Sequence, residues 1–84
     1  MEKIRITLPE EFAFSQENAA RLVQTLSRFD SSIMIQENNK SVNAKSLLGI
    51  LSLAYLQPSS LEFLIDGSDE DKAIEALKRY FDVK

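Results

Sequence analysis

In a chain of 84 residues, the run Ser41-Val-Asn-Ala-Lys-Ser-Leu-Leu-Gly-Ile-Leu-Ser-Leu53 sets the tightest limit on the fold. Its polar lead-in ends at Ser46, a residue type that caps helix N-termini, and the residues after it are apolar on nearly every side. A helix over about Ser46 to Tyr55 should bury one stripe. An apolar surface all round means either a place deep in a core or an outer face offered to a partner. A chain this short has room for one core between two layers, so the first option is hard to arrange. At about 100° per residue, Ile50, Leu53 and Ala54 fall on one side and should face a sheet. Leu48, Leu51 and Tyr55 fall on the other, with Leu47 at the border.

The rest of the chain supplies that sheet. Glu2 to Leu8 alternates, with Ile4, Ile6 and Leu8 on one face, and reads as a half-buried strand stopped by Pro9. Pro9 to Phe14 reads as a loop anchored by Phe12 and Phe14. Ser15 is an N-cap for a helix over Gln16 to Arg28, with Glu17 suiting its first turn and Ala19, Leu22, Val23 and Leu26 forming its core stripe. Ile33 and Ile35 mark a second strand. Asn38-Asn39 predicts a tight hairpin into a short polar edge strand over Lys40 to Asn43. Leu61, Phe63 and Ile65 give a fourth strand. Gly67, Ser68 as cap and Asp71 at the capping-box position open a last helix, buried through Ala73, Ile74, Leu77 and Phe81. The order is βαββαβα, a single domain over residues 1–84 built as a two-layer sandwich with three helices on one face of one sheet.

Charge and composition remove several function classes. A net charge of −3 argues against a nucleic-acid surface, and no apolar run approaches a membrane span. Without cysteine there is no thiolate chemistry, and a reducing cytoplasm fits. The chain also has no histidine, which removes the side chain that titrates near neutral pH and the commonest metal ligand. Asp69, Glu70 and Asp71 lack the alternating ligands and central glycine of a calcium loop and read as a solvated helix start. No cofactor or metal site is expected.

The chain resembles the HPr phosphocarrier family of the bacterial sugar phosphotransferase system. The resemblance covers nearly the whole chain in length and element order. It is most specific at Lys40-Ser-Val-Asn-Ala-Lys-Ser-Leu-Leu-Gly-Ile-Leu-Ser-Leu53, which is similar to the family's regulatory serine motif with Ser46 in the serine's place. It implies an α+β, open-faced two-layer sandwich with an antiparallel sheet in the order 1-4-2-3. The family's active-site loop is broken here. At the matching positions Ala13-Phe-Ser-Gln-Glu-Asn-Ala19, Ser15 replaces the phosphohistidine, Glu17 the phosphate-binding arginine and Asn18 the proline.

That loss has a chemical reading of its own. A carrier needs a labile phosphoryl bond, which the phosphohistidine nitrogen linkage supplies and a serine ester does not. Glu17 would repel a dianionic phosphate where arginine would clamp it. No catalytic residue is therefore expected, and the chain is not expected to be an enzyme. Relatives that lack the histidine but keep the regulatory serine act in catabolite repression, and Val42-Asn-Ala-Lys-Ser46 resembles theirs. Glu17 departs from that class too, since those relatives are expected to retain arginine. The expectation is a regulatory module phosphorylated at Ser46, with Leu47, Leu48, Leu51 and Tyr55 as its partner-binding surface. The resemblance implies an HPr kinase and a catabolite-control repressor as partners. Two alternatives stay open: a constitutive interaction or assembly domain in which Ser46 is only a helix cap, and residual phosphotransfer through Ser15. Monomer and dimer are both compatible with the sequence.

Overall fold

A computed structural model describes residues 1–9, 15–53 and 58–81. Seven elements follow one another: β1 (Glu2–Thr7), α1 (Gln16–Leu26), β2 (Ser32–Glu37), β3 (Lys40–Asn43), α2 (Leu47–Leu53), β4 (Ser60–Asp66) and α3 (Glu70–Tyr80). The strands form one antiparallel sheet in the order β1-β4-β2-β3. Register follows from the period-2 alternation, because a one-residue slip would turn every inward side chain outward. Ile35 therefore lies between Phe63 and Val42, and Ile33 beside Ile65. Asn38 and Asn39 make the β2–β3 turn with φ of 49° and 65°. Those values suit the twist of a two-residue hairpin, and asparagine tolerates them.

The core lies between the sheet and the helices. Ile6, Ile33, Ile35, Leu61, Phe63 and Ile65 meet Leu22 and Leu26 of α1, Ile50 and Leu53 of α2, and Ala73 and Leu77 of α3, all of them buried. Phe81 closes one end, its ring centroid 6.3 Å from that of Phe63. The short polar strand β3 forms one edge of the sheet, as its composition led us to expect.

Helix ends differ from the sequence reading at α1 and α3. α1 stops at Leu26 rather than Arg28, because the Phe29 amide donates to the Leu26 carbonyl in a tight last turn. α2 runs over Leu47–Leu53, and the expected continuation through Ala54 and Tyr55 lies outside the described residues, as do Phe12 and Phe14. α3 is not capped by Ser68. Its N-cap position is Asp69, whose side chain makes no cap bond and turns instead to the α1–β2 connection. There the Asp69 carboxylate accepts from the Asp30 and Ser31 amides, both at 2.9 Å, and from the Ser31 hydroxyl. Glu70 takes over the reciprocal half of the expected box, its Oε1 accepting from the Gly67 amide at 3.3 Å. Gly67 itself is required by closeness, since a Cβ there would lie 2.6 Å from Ser31 Cα.

Candidate functional site

The connection from β3 into α2 is held at four points. The Asn43 side chain accepts from the Lys45 amide at 2.8 Å, an Asx turn that starts the reversal out of the strand. The Asn43 carbonyl accepts from the Ser46 amide at 3.0 Å. Ser46 Oγ then accepts from the Gly49 amide at 3.2 Å and caps α2. Lys45 sends its ammonium away from this turn, to the Phe29 carbonyl at 2.6 Å, and so ties the β3–α2 turn to the end of α1. The role of Asn43 and Lys45 was missed at the sequence level. The signal for the first was present in an asparagine two residues before the amide it binds; the second pairs residues far apart in the chain.

Gly49 belongs to the same construction. A Cβ at this position would lie 3.2 Å from the Asn43 carbonyl oxygen and 3.3 Å from Val42 Cβ. Glycine therefore lets α2 seat directly on the end of β3, which fixes Ser46 relative to the sheet. Ser46 is half-buried, and no acidic residue stands in the first turn of α2. Its oxygen is used as an acceptor, so the hydroxyl hydrogen is not committed to the cap.

The apolar surface beside Ser46 is narrower than the helical wheel implied. Leu48 is 81% exposed. Leu47 and Leu51 are half-buried and pack on the edge of the core, so Leu51 does not stand out beside Leu48 as expected. A seven-residue helix lies close enough to its neighbours for side chains on its flank to reach the core. Tyr55 lies outside the described residues.

The other sequence candidates meet at the start of α1. Ser15 is exposed, and its Oγ accepts from the Asn18 amide at 3.1 Å. Glu17 follows in the first turn with its carboxylate 2.7 Å from Arg21, one helical turn on. The Tyr80 hydroxyl of α3 donates to the Asn18 carbonyl at 2.9 Å. Partial burial raises the Tyr80 pKa above its ordinary value of 10.0, with Arg21 pulling the other way. Among the described residues no group of carboxylates is arranged to hold a metal ion, and no helix is long and apolar enough to cross a membrane.

A family model described as the PTS HPr component phosphorylation site matches residues 3–82. Phosphocarrier protein HPr of Treponema pallidum is 44% identical over 66 residues, covering 79% of this chain and 75% of that protein. HPr-like protein Crh of Halalkalibacterium halodurans is 46% identical over 59 residues, covering 70% of each. A crystal structure of HPr-C-His from Thermoanaerobacter tengcongensis superposes with a TM-score of 0.87 at 36% identity, over 98% of this chain and 92% of that one.

Proposed function

The chain belongs to the HPr family, a phosphocarrier or regulatory protein of the phosphotransferase system, and within it we propose the regulatory role. In this reading it is a cytoplasmic single-domain module over residues 1–84 that accepts a phosphoryl group on Ser46, carries none on histidine and catalyses nothing itself. Its partners are an HPr kinase and a catabolite-control repressor, met through Ser46, Leu47, Leu48, Leu51 and Tyr55. The observation that carries the proposal is the seating of Ser46. Its hydroxyl lies at the start of a helix whose first turn has no acid, on a turn pinned by Asn43, Lys45 and Gly49.

The chemistry balances simply. The Ser46 oxygen attacks the terminal phosphorus of ATP, a serine O–P bond forms, the bond to the departing ADP breaks, and the hydroxyl proton leaves to the kinase. The product adds roughly −1.5 to −2 charge with three acceptor oxygens. They would stand at a helix start whose first turn carries no carboxylate. Ser15 offers a poorer site, because Glu17 stands in its first turn and because a serine ester would not pass its phosphoryl group onward.

Incubation with HPr kinase and ATP, followed by intact-mass measurement and peptide mapping, tests the reading. One added phosphate on Ser46, absent from Ser46→Ala, is expected. An unlabelled chain beside a normally labelled family member would overturn it. The exposure of Leu48 at 81% favours one other reading, a constitutive interaction domain. That reading predicts a stable dimer or complex broken by Leu48→Asp and untouched by Ser46→Ala.

A further inference from the structure

α1 packs against α2 on one flank and against α3 on the other. The α2 flank leads to Ser46. The α3 flank carries a different surface. The Tyr80 bond to Asn18 sets the end of α3 beside the start of α1, and Arg28, just past the end of α1, shares a depression with Lys72 near the start of α3. The two helices are therefore antiparallel, with a shallow groove between them. Its two adjoining depressions share Arg28; Arg21 lines one of them, and Lys72 and Arg79 line the other. All four side chains are exposed. Among the described residues neither Arg28 nor Lys72 has a carboxylate within ion-pair distance, and the only hydrogen bond of Arg28 is a long one of 3.5 Å to the Thr25 carbonyl.

On a chain of net charge −3 this concentration of cations is against the overall balance. We propose that the α1–α3 groove docks an amphipathic, net-acidic helical segment of a partner protein. Charge complementarity identifies the occupant. Arg28 and Lys72 flank one end of the groove and take carboxylates. Half-buried Phe29 and Ala76 give a small apolar floor for the segment's other face. Glu75, 4.0 Å from Arg79, and Glu17, bound to Arg21, interrupt the positive band. A uniform polyanion such as a nucleic acid would be repelled at both carboxylates and by the chain's net charge, whereas a polypeptide can place a lysine opposite each.

The surface is distinct from the Ser46 region, and its test is independent of phosphorylation. The probe is a synthetic amphipathic peptide with Leu and Ala on one face and Glu on the other, with a lysine at the two positions that meet Glu17 and Glu75, titrated into the intact chain and followed by backbone-amide NMR. Saturable shifts are expected over Arg21 to Phe29 and Lys72 to Tyr80. Binding should be roughly tenfold weaker for the double variant Arg28→Glu/Lys72→Glu, fall with added salt, and stay unchanged in Ser46→Ala. If charge reversal disturbs the spectrum elsewhere, Arg28→Gln/Lys72→Gln gives the same comparison. The proposal is overturned by the absence of saturable shifts, by shifts centred on α2, by equal binding to either double variant, or by a heparin fragment binding as tightly as the peptide.

Discussion

α1 and α2 begin in the same way and in opposite company. Each opens on a serine whose oxygen accepts the amide three residues on, at 3.1 Å from Asn18 and 3.2 Å from Gly49. Ser15 is exposed and its first turn carries Glu17. Around Ser46 the turn is clamped on both sides, half-buried and free of acids. A cap contributes to stability in either place. Only at α2 is it set in surroundings that would accept added negative charge. Cap geometry therefore does not separate the two serines; their neighbours do.

The largest effect expected from this contrast is all or none. With HPr kinase and ATP, Ser46→Ala should lose the phosphorylated species entirely and Ser15→Ala should keep it in full, as read by intact mass. Labelling of Ser15 instead would invert the comparison. Next is Gly49→Ala. Alanine gains about 1 kcal/mol in helix propensity, but its Cβ would crowd the carbonyl that holds the Ser46 amide, and overpacking costs about 1–3 kcal/mol. A net loss of about 1 kcal/mol is expected from urea unfolding. The two caps should then differ by degree: Ser46→Ala should cost about 1 kcal/mol and Ser15→Ala about half that, since the exposed Asn18 amide can turn to water.

α3 provides the control, a helix start where the nearby serine does not cap. The Ser31 hydroxyl, then the Asp30 amide, hold the Asp69 carboxyl below its ordinary value of 3.8. Its folded pKa is thus lower than its unfolded one. The contribution is present at pH above about 4 and is lost as pH falls through the folded pKa. Asp69→Asn should reduce stability at pH 7, and its unfolding curve should converge with that of the unchanged chain as pH drops below about 4. Smallest of all, Glu17→Gln should shift stability by about 0.3 kcal/mol, because the ion pair with Arg21 is solvent-exposed.

Much of this was legible in the sequence, for identifiable reasons. The strands were readable because Ile4-Arg-Ile6 and Leu61-Glu-Phe63-Leu-Ile65 alternate, and the hairpin because Asn38-Asn39 tolerates positive φ. Alternation does not say which strands pair, and the order β1-β4-β2-β3 came only from the family resemblance. Ser68 misled because Ser-Asp-Glu-Asp offers several caps in succession, and the choice was made by Ser31, brought next to Asp69 by the sheet. Leu51 misled because a wheel treats a helix as isolated, while α2 is short and lies close to its neighbours. The Lys45 bond to Phe29 had no local signal at all.

The sheet also has a temporal side. Its β2–β3 pairing closes across the Asn38–Asn39 turn, with Glu37 opposite Lys40. β1 must instead find β4, with Glu2 opposite Ile65 and Thr7 opposite Ser60. The first closure fixes only a few residues of intervening chain; the second must close the whole stretch from β1 to β4, and such non-local pairings are what slow the folding of small domains. In a refolding chain, amide protection should therefore appear first in the β2–β3 hairpin and last in β1, with the β3–α2 turn assembled before the sheet is complete.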